Sequence, residues 1–265
     1  MTVSTSLPDP AAIRARCAAS ASHVVIEAVP ETGSTNADLL ARLPAGELAG
    51  PVLRIADVQT AGRGRAGRPW LSAPGASLTF SLAWPFKGPL QRLAGLPLAV
   101  GVALAETVAS LGVPVQLKWP NDLMKDGAKL AGILVETGTA PDGVLWAVIG
   151  CGMNLTMPDE MEARIGRAVS SAPWLARMDR DELVALLLSR LAAVLAEFDD
   201  TGFAPFRERW NALQAWRGQP VNILDHGAVR QQGLAAGVDD AGRLLLDTPA
   251  GTVAVLSGDV SLRLA

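Results

Sequence analysis

The segment "KWPNDLMKDGAKLAGILVE", Lys118 to Glu136, has the pattern of two β-strands joined by a tight turn. Asp126 and Gly127 form a dipeptide that favours a two-residue hairpin turn, because both residue types tolerate positive φ. The strand after the turn, residues 130–136, is almost entirely apolar, yet Lys129 stands directly in front of it. A lysine at a strand end can extend its ammonium group into solvent, or it can supply a positive charge to a binding site. The segment alone leaves both interpretations open.

The sequence around the hairpin contains further strand and helix patterns. Strands are predicted at residues 52–59, 77–84, 115–118, 130–136 and 144–149, and helices at residues 34–43, at residues 96–111 and from residue 179 onward. Residues 77–84 are apolar at every second position, which is typical of a half-buried strand. The long helix begins at Asp179, whose N-cap role is supported by Glu182 in the first turn. Because the helices do not alternate strictly with the strands, the predicted fold class is α+β.

Three regions are predicted along the chain. Residues 1–22 are rich in Ala, Ser and Pro, so we expect a loose N-terminal segment. Residues 23–216 are expected to form the main α+β domain. Residues 217–265 contain short β-like runs separated by turn residues, which is the pattern of a small barrel. A barrel of this length buries little apolar surface alone, so we expect it to pack on the main domain.

Composition excludes several classes of protein. Hydrophobic residues make up 49% and the net charge is -3, so no overall basic field would attract nucleic acid or a membrane surface. The two cysteines, Cys17 and Cys151, lack zinc-site spacing and disulfide density, which favours a reducing, cytoplasmic environment. No signal peptide is predicted. Residues 93–115 are the most apolar stretch, but Pro97 and Glu106 interrupt it, so no membrane partner is expected.

The loop "TAGRGRAGRPW", Thr60 to Trp70, concentrates arginine and glycine. Its glycines allow close backbone approach to a ligand, and its arginines are planar donors suited to phosphate or carboxylate. It differs from the known nucleotide-binding glycine loops, because Pro69 and Trp70 follow where a helix should begin. From the loop alone, three interpretations stay open: a solvated turn, an RNA contact, or a lid over a small anionic ligand.

Six short motifs follow one another along the chain. They are "STN" (34–36), "QTAGRGRAGRPW" (59–70), "KWPND" (118–122), "KLAGILVE" (129–136), "GCGMN" (150–154) and "GDVSLR" (258–263). Each motif is modest by itself. In this order, all six together resemble the biotin-protein ligases, also called biotin-[acetyl-CoA-carboxylase] ligases. The resemblance covers almost the whole chain from about residue 30 and is highly specific.

The resemblance implies both a fold and a reaction. The fold is a mixed-sheet catalytic domain of the biotin/lipoate ligase type over residues 23–216, followed by a small SH3-like β-barrel over residues 217–265. The implied enzyme uses ATP and Mg²⁺. In its first step the biotin carboxylate attacks the α-phosphate of ATP, which gives biotinyl-AMP and pyrophosphate. In its second step a lysine amine of a biotin carboxyl carrier protein or domain, such as that of acetyl-CoA carboxylase, attacks this anhydride and AMP leaves.

The resemblance also implies which residues form the site. Phosphoryl transfer requires charge neutralisation, so Lys129 and Arg65 would be catalytic, and Asp122 would orient Mg²⁺ or the incoming amine. The residues implied in biotin binding are Ser34, Thr35, Asn36, Gln59, Gly62, Arg63, Gly64, Arg65, Lys129 and Gly132. Those implied in ATP binding are Arg63, Arg65, Arg68, Trp70, Asn121, Asp122, Lys129, Asn154 and Arg263. Trp70 is expected to cover the adenine, and Asp122 is the candidate metal ligand.

Partner expectations follow from the same resemblance. Many members carry an N-terminal DNA-binding domain, but only about 30 residues precede the first motif, so no DNA partner is expected. Members occur as monomers and as dimers, which allows a homodimer here.

Three alternatives stay open at this point. A lipoate or octanoate ligase or transferase uses related chemistry on a related fold. A nucleic-acid-binding module could use the arginine loop with the barrel, although the net charge of -3 disfavours it. Cys151 could act as a nucleophile, but the histidines, His23 and His226, lie in the terminal regions, and a buried cysteine after a strand is usually a small apolar residue.

Overall fold

A seven-stranded mixed sheet organises the larger part of the protein in this computed structural model, which describes residues 7–166, 168–225, 227–258 and 260–265. Its strands are β1 (Val25–Thr32), β2 (Val52–Gln59), β3 (Ser77–Phe86), β4 (Gln116–Lys118), β5 (Asp122–Lys125), β6 (Ala128–Thr139) and β7 (Leu145–Asn154). Their spatial order is β1-β2-β3-β7-β6-β5-β4. The β1–β2 pair is parallel and the other five pairs are antiparallel.

Helices cover both faces of this sheet. They are α1 (Pro10–Arg16), α2 (Thr35–Arg42), α3 (Leu96–Ser110), α4 (Asp159–Ile165), α5 (Arg180–Thr201) and α6 (Arg207–Leu213). Single 3₁₀ turns occur at Ala19–Ala21, Arg65–Gly67, Leu90–Leu93, Leu175–Arg177 and Ala204–Phe206. Helices α1, α3 and α5 bury the main hydrophobic core on one face. Helix α2 packs on the other face, over a smaller core around Trp146, and leaves the rest of that face to the site described below.

Helix α3 carries apolar residues on nearly all sides, and it is buried on nearly all sides. Pro97 lies in its first turn, where a missing N–H costs no helical hydrogen bond. Among the described residues, Leu90–Ser110 is the one helical segment long and apolar enough to cross a membrane, and 67% of its most apolar window is buried inside the protein. We therefore interpret its composition as that of a core helix.

The predicted helix N-termini at α2 and α5 are confirmed. Asp179 caps α5 by accepting hydrogen bonds from the backbone N–H groups of Asp181 at 2.9 Å and Glu182 at 3.4 Å. The residues predicted for its inner face are all buried: Leu183, Leu187, Leu191, Leu195 and Phe198. Ser34 caps α2 by accepting from the backbone N–H of Ala37. These caps satisfy N–H groups that the helix itself leaves unpaired.

The prediction of a loose N-terminal segment is wrong for residues 7–22, whereas residues 1–6 lie outside the described residues. Asp9 caps α1 with its side chain, and its backbone N–H donates to the Asp181 carboxylate at 2.9 Å. Ile13 is fully buried, and α1 packs against α5. The helix is stabilised by this docking, which its alanine-rich sequence does not reveal because few large apolar residues mark one face.

The predicted hairpin is confirmed, with strands β5 and β6 on either side of its turn. Asp126 has φ 52° and Gly127 has φ 76°, so both central residues adopt the left-handed conformation that their residue types tolerate. The turn fixes the register in which Lys125 pairs with Ala128. Lys129 therefore lies one residue inside β6, close to β5.

Strand β7 is longer than predicted, because it continues past Ile149 to Asn154. Gly150 and Gly152 lie within the strand and pair on both sides, with β3 and with β6. Glycine weakens an isolated strand, but ladder hydrogen bonds from two neighbours hold this one in place. The extension sets two glycines in the middle of the sheet.

The C-terminal part is a five-stranded antiparallel sheet of the predicted SH3-like kind. Its strands are β8 (Pro220–Asp225), β9 (Ala228–Val238), β10 (Leu244–Thr248), β11 (Gly251–Val255) and β12 (Val260–Leu264), in the order β11-β10-β9-β8-β12. The boundary that we propose, at residue 217, falls between α6 and β8. The sheet packs on the larger part, where the Trp119 indole N–H donates to the carbonyl of Gly242 at 3.1 Å. His226 and Asp259 lie outside the described residues.

Candidate active site

An open cleft lies on the α2 side of the large sheet. Strands β3, β6 and β7 form its floor. The start of α2, the arginine loop after β2 and the β4–β5 connection form its walls, and strand β12 of the C-terminal sheet closes one end. Both parts of the chain therefore contribute to one site.

Three glycines in β6 and β7 leave parts of the floor of the cleft without side chains of its own strands. Gly132 pairs directly with Gly152 across β6 and β7, and Gly150 lies two residues away on the same face. A Cβ atom at Gly152 would overlap the indole of Trp70, and one at Gly150 would lie 2.5 Å from the side-chain oxygen of Asn36. The glycines thus allow two side chains to lie directly on the backbone of the sheet.

One end of the cleft, which we call the polar end, is a buried hydrogen-bond network. The Asn36 amide donates to the Glu136 carboxylate at 2.8 Å, and the Ser81 hydroxyl donates to the Asn36 side-chain oxygen. The Thr35 and Ser81 hydroxyl oxygens are 2.6 Å apart. The Gln59 side-chain oxygen accepts from the backbone N–H of Thr35 at 2.8 Å. These bonds fix the side chains that face the cleft.

Strand β3 differs from the prediction in a way that explains this network. It was predicted to be half-buried, but both of its faces are covered, and Ser77, Thr79 and Ser81 are all fully buried. Thr79 donates to the carbonyl of Ala56 at 2.7 Å, and Ser81 joins the polar end. The alternating polar residues therefore lie beneath the cleft and α2, not in solvent.

The opposite end of the cleft, which we call the charged end, holds two ammonium groups around one carboxylate. The Lys129 Nζ atom is 2.6 Å from the Asp122 carboxylate, and the Lys118 Nζ atom is 3.7 Å from it. Their side chains are 20% and 10% exposed, and that of Asp122 is 17% exposed. Lys118 also lies over the ring of Trp216, 5.1 Å from its centroid. Two ammonium groups at one end of a cleft favour an anionic ligand.

The arginine loop closes over the charged end. The Arg65 guanidinium donates to the Asn121 side-chain oxygen at 3.3 Å and to the backbone carbonyls of Gly258 and Val260. The loop is thereby attached to the segment that leads into β12. Arg63 and Arg68 are exposed, and within the described part of the chain their guanidinium groups have no hydrogen-bond partner. They are placed to meet an anion that enters the cleft.

A second cavity, the side pocket, opens beside the charged end. It is lined by Arg68, Pro69, Trp70, Leu71, Lys129, Asn154, Arg164, Ile165 and Val169. Arg68, Trp70 and Lys129 line both this pocket and the cleft. Its wall is largely apolar apart from these charged groups, so it suits a flat uncharged ring next to an anion.

All but two of the residues predicted for the site line the cleft. They are Ser34, Thr35, Asn36, Gln59, Arg63, Gly64, Arg65, Arg68, Trp70, Asn121, Asp122, Lys129, Gly132 and Arg263. Gly62 is buried behind the cleft, beside the Gln59 amide. Asn154 lies in the side pocket, where its amide donates to the carbonyls of Ser170 at 3.0 Å and Lys129 at 3.4 Å.

Sequence reasoning missed three residues that shape the site. Lys118 and Glu136 lie in two of the motifs and Ser81 lies in a predicted strand, but the sequence assigns no role to any of the three. A signal for Ser81 existed, because a strand with hydroxyl residues on its second face needs partners for them if that face is covered. No local signal pairs Glu136 with Asn36, since they are far apart along the chain.

Cys151 is excluded as a nucleophile by its surroundings. Complete burial raises the pKa of its thiol to about 12, outweighing the opposite effect of the Lys129 charge. The thiol therefore stays protonated at neutral pH, and the thiolate is the reactive form. His23 lies against the ring of Trp84, at 5.4 Å between centroids, and is not a lining residue of the cleft.

No dedicated metal cage exists among the described residues, which contain no group of three or more metal-ligating side chains. Among the described residues that line the cleft, Asp122 is the one carboxylate. One carboxylate fits Mg²⁺ that arrives with a nucleotide, because this ion usually binds substrate phosphates and water with only one or two protein carboxylates.

Two family models match the chain over the parts that form the cleft. The Biotin/lipoate A/B protein ligase family matches residues 28–154, and the Biotin protein ligase C terminal domain matches residues 218–263. The bifunctional ligase/repressor BirA of Escherichia coli (strain K12) is 38% identical over 249 residues, which is 91% of this chain and 74% of that protein. The chain belongs to the biotin/lipoate protein ligase family.

Two further comparisons place the chain among the biotin protein ligases of this family. The biotin--[acetyl-CoA-carboxylase] ligase of Mycobacterium tuberculosis (strain ATCC 25618 / H37Rv) is 36% identical over 89% of this chain and 88% of that protein. The solved structure of the biotin protein ligase from Aquifex aeolicus in complex with biotin and ATP has a TM-score of 0.73 and 29% identity, covering 91% of this chain and 99% of that chain.

Proposed function

We propose that this chain is an ATP-dependent biotin-protein ligase, which activates biotin as biotinyl-AMP and transfers it to a lysine of a carrier protein. The observation that supports this proposal is the cleft that joins the polar end to the charged end, with the side pocket opening beside the charged end. Biotin has a urea ring, an aliphatic chain and a carboxylate. These groups match the polar end, the glycine floor and the charged end in that order.

Biotin binds with its urea ring at the polar end in this proposal. Ser34, Thr35 and Gln59 line that end with hydroxyl and amide groups, and a urea ring offers both N–H donors and a carbonyl acceptor. The valeryl chain then runs toward Lys129 along Asn36 and Trp70, the two side chains that lie on the glycine floor. An uncharged octanoyl chain would leave the polar groups of this end without partners, which favours biotin over lipoate or octanoate.

The first step takes place at the charged end. A carboxylate oxygen of biotin attacks the α-phosphorus of ATP, the bond to the bridging oxygen of pyrophosphate breaks, and pyrophosphate leaves with the electron pair. Lys129 is the group that we assign to neutralise the charge shared by the carboxylate and the α-phosphate. Lys118 adds a second ammonium group beside it, and Arg63, Arg65 and Arg68 contact the phosphates from the loop.

The adenine occupies the side pocket in this scheme. Trp70 lies on the glycine floor and lines both the cleft and the side pocket, so it contacts the biotinyl chain on one side and the nucleotide on the other. Asn121, Asn154 and Arg263 are the further nucleotide contacts that we propose. Asp122 is the residue that would hold Mg²⁺, and the ion would supply additional charge neutralisation when bound.

The second step transfers the biotinyl group. A carrier lysine attacks the carbonyl carbon of biotinyl-AMP as a free amine, the carbon–oxygen bond to AMP breaks, and an amide forms. Asp122 lies at the reacting end of the cleft and is placed to orient the incoming amine or accept its proton. The arginine loop covers the anhydride and limits hydrolysis until the carrier arrives.

We further propose that the carrier is a biotin carboxyl carrier protein or domain of acetyl-CoA carboxylase and that the enzyme acts in the cytoplasm. The reducing environment suits its two free cysteines. A homodimer stays a prediction, which light scattering of the purified protein would test.

The decisive experiment mixes purified protein, biotin and MgATP and measures pyrophosphate release. A biotin carboxyl carrier domain is then added, and the product is detected with streptavidin. We expect biotin-dependent pyrophosphate release without carrier, up to one equivalent of adenylate per site, and labelled carrier after its addition. A carrier whose target lysine is replaced by arginine, and octanoate in place of biotin, are the controls. Absence of biotin-dependent pyrophosphate release would overturn the proposal.

A further inference from the structure

The polar end contains two side chains, Glu136 and Ser81, that the reaction scheme does not use. Glu136 is half-buried on β6 and Ser81 is fully buried on β3. Neither is needed to hold its own strand, because both strands are paired on each side by backbone hydrogen bonds. Both are joined to Asn36, which lies between them over Gly150.

The direction of each hydrogen bond in this network follows from which groups can donate. The Glu136 carboxylate can only accept, so the Asn36 amide must turn its NH₂ group toward Glu136. The Asn36 oxygen then faces Ser81 and can only accept, so the single hydroxyl proton of Ser81 is used there. Because Ser81 has no second proton, Thr35 is the donor across their 2.6 Å contact. The Thr35 hydroxyl also lies 3.1 Å from the Gln59 side-chain oxygen, and the shorter contact favours Ser81 as the acceptor of its proton.

The directions of these hydrogen bonds decide which groups at the surface of the cleft can donate to a ligand and which can only accept. The single proton of the Thr35 hydroxyl is shared between two acceptors in the network, Ser81 and the Gln59 side-chain oxygen, so the hydroxyl oxygen can only accept a hydrogen bond from a ligand. Gln59 accepts the backbone N–H of Thr35 with its side-chain oxygen, so its NH₂ group remains as a donor. Ser34 accepts the Ala37 N–H in the α2 cap, so its hydroxyl proton is also available to donate.

We propose that Glu136 and Ser81 are positioning residues that fix the polar end in one donor and acceptor pattern, in which Thr35 accepts and Gln59 and Ser34 donate. The pattern complements a cyclic urea, whose ring N–H donates to Thr35 and whose carbonyl oxygen accepts from the other two. This proposal rests on the proposed function. It adds a reason for head-group specificity that does not involve any contact between Glu136 or Ser81 and the ligand.

A second observation independently supports this chain of hydrogen bonds from Glu136 through Asn36 and Ser81 to Thr35, which we call the relay. Gly150 lies under Asn36, and a Cβ atom there would lie 2.5 Å from the Asn36 oxygen, 3.1 Å from Cγ and 3.3 Å from the amide nitrogen. The glycine gives the amide room to lie flat between its two partners. The Asn36 amide also reaches the carbonyl of Leu134 at 3.4 Å, so both of its N–H groups have acceptors. An amide satisfied in this way has no reason to flip.

The test changes the relay and measures which ligands the cleft accepts. Glu136→Leu removes the acceptor, which frees the Asn36 amide to flip and the protons of Ser81 and Thr35 to reverse. Biotin affinity, measured by calorimetry, is expected to fall about tenfold, as for loss of one hydrogen bond to a charged group. The ATP KM and the kcat at saturating biotin should change less than about threefold, because the charged end is untouched.

A specificity measurement separates this role from a merely structural one. The probes are two cyclic-carbamate analogues of biotin, each with one ring N–H replaced by oxygen. The wild-type protein should reject the analogue whose oxygen faces Thr35 by about 100-fold, because two acceptors then meet in a buried site. In Glu136→Leu that ratio should shrink to about tenfold or less, since Thr35 can now donate. Glu136→Gln, whose carboxamide oxygen can still accept from Asn36, should restore most of the wild-type affinity and the wild-type ratio.

Matched controls make each outcome informative. Glu31→Leu makes the same chemical change at an exposed position on β1 outside the cleft and should alter neither affinity nor ratio. Ser81→Ala removes the same relay with a smaller change of shape, so it carries the test if Glu136→Leu does not fold. An active wild-type protein whose relay variants keep both biotin affinity and ratio would overturn the relay alone. A wild-type protein that neither binds biotin nor releases pyrophosphate would overturn the proposed function and the relay together.

Discussion

The polar end and the charged end of the cleft are built in contrasting ways. At the polar end Ser34, Thr35 and Asn36 are at most 6% exposed, and regular elements, α2 and strands β2 and β3, hold them. At the charged end Arg63 and Arg68 are exposed on a loop. The polar side chains are hydrogen-bonded to one another. The guanidinium groups of Arg63 and Arg68, in contrast, have no hydrogen-bond partner within the described residues and can bind an anion.

This difference corresponds to two physical tasks. A neutral urea ring can be told from other rings only by hydrogen bonds of fixed direction, which requires rigid donors and acceptors. Phosphates change charge distribution during the reaction, so they need positive groups that can gather around them and then release them. Changes at the polar end should therefore alter biotin affinity and specificity, and changes at the charged end should alter rates.

The largest effect is expected from Lys129→Ala at the charged end. Removing this ammonium group takes away charge stabilisation in the transition state, so the rate of biotin-dependent pyrophosphate release should fall by about 100-fold or more. Biotin affinity measured by calorimetry should change much less. Lys125→Ala is the control, because Lys125 lies on the same hairpin, is paired with Asp126 and does not line the cleft. Equal rates for Lys129→Ala and wild type would remove Lys129 from its assigned role.

A smaller but still large effect is expected from Asp122→Asn. Lys118 and Lys129 would then lose the carboxylate charge that both of them contact, and the candidate Mg²⁺ ligand would be lost. We expect the kcat of adenylation to fall about 30-fold with little change in biotin affinity, as stopped assays of pyrophosphate release can show. Asp126→Asn, an exposed aspartate on the same hairpin, should behave as wild type. A change confined to biotin affinity would contradict the division between the two ends.

Arg65→Gly should have a moderate effect that appears as leakage. Arg65 attaches the arginine loop to Asn121 and to the segment before β12, so its loss should open the lid over the anhydride. Labelling of a bystander protein without a carrier domain should rise about fivefold, measured with streptavidin.

Arg68→Gly is the matched control for this loop variant. It introduces the same flexible residue, but the Arg68 guanidinium has no hydrogen bond to the segment before β12 in the described part of the chain. Its leakage should be smaller than that of Arg65→Gly. Bystander labelling that stays at the wild-type level in Arg65→Gly would show that the attachment does not retain the intermediate.

The smallest effect is expected from Cys151→Ala. Burial raises the pKa of this thiol to about 12, so it is protonated throughout the pH range from 6 to 9 and forms no thiolate nucleophile. The rate of biotin transfer in Cys151→Ala should stay within about twofold of wild type, and its pH profile between 6 and 9 should not change. A profile that loses an ionisation in this range would restore the cysteine as a reacting group.

Local sequence signals predicted the elements that depend on neighbouring residues. The hairpin turn at Asp126 and Gly127 and the cap at Asp179 follow from residues within a few positions of each other. The extent of β7 was predicted less well, because two glycines weaken a strand signal while neighbouring strands supply the hydrogen bonds that hold it. The N-terminal helix was missed because its stability comes from docking on α5.

The candidate site shows the same division between what local sequence signals predict and what distant partners decide. Motifs identified most of the residues that line the cleft, since charged and glycine-rich segments stand out in an apolar chain. They did not identify Ser81 or Glu136, whose roles depend on a shared partner. The pattern of donors and acceptors at the polar end depends on the whole group of side chains, and no single residue determines it.

By itself, the sequence determined the residue types that the chemistry needs: the turn residues of the hairpin, the caps of two helices, and lysines and arginines in an otherwise apolar chain. Only the tertiary structure decided which of these groups meet. Strand register places Gly132, Gly150 and Gly152 on one face and brings Asn36 to Glu136, 100 residues away along the chain. Hydrogen bonds and ion pairs act over a few ångströms, so their partners are set by how strands and helices pack.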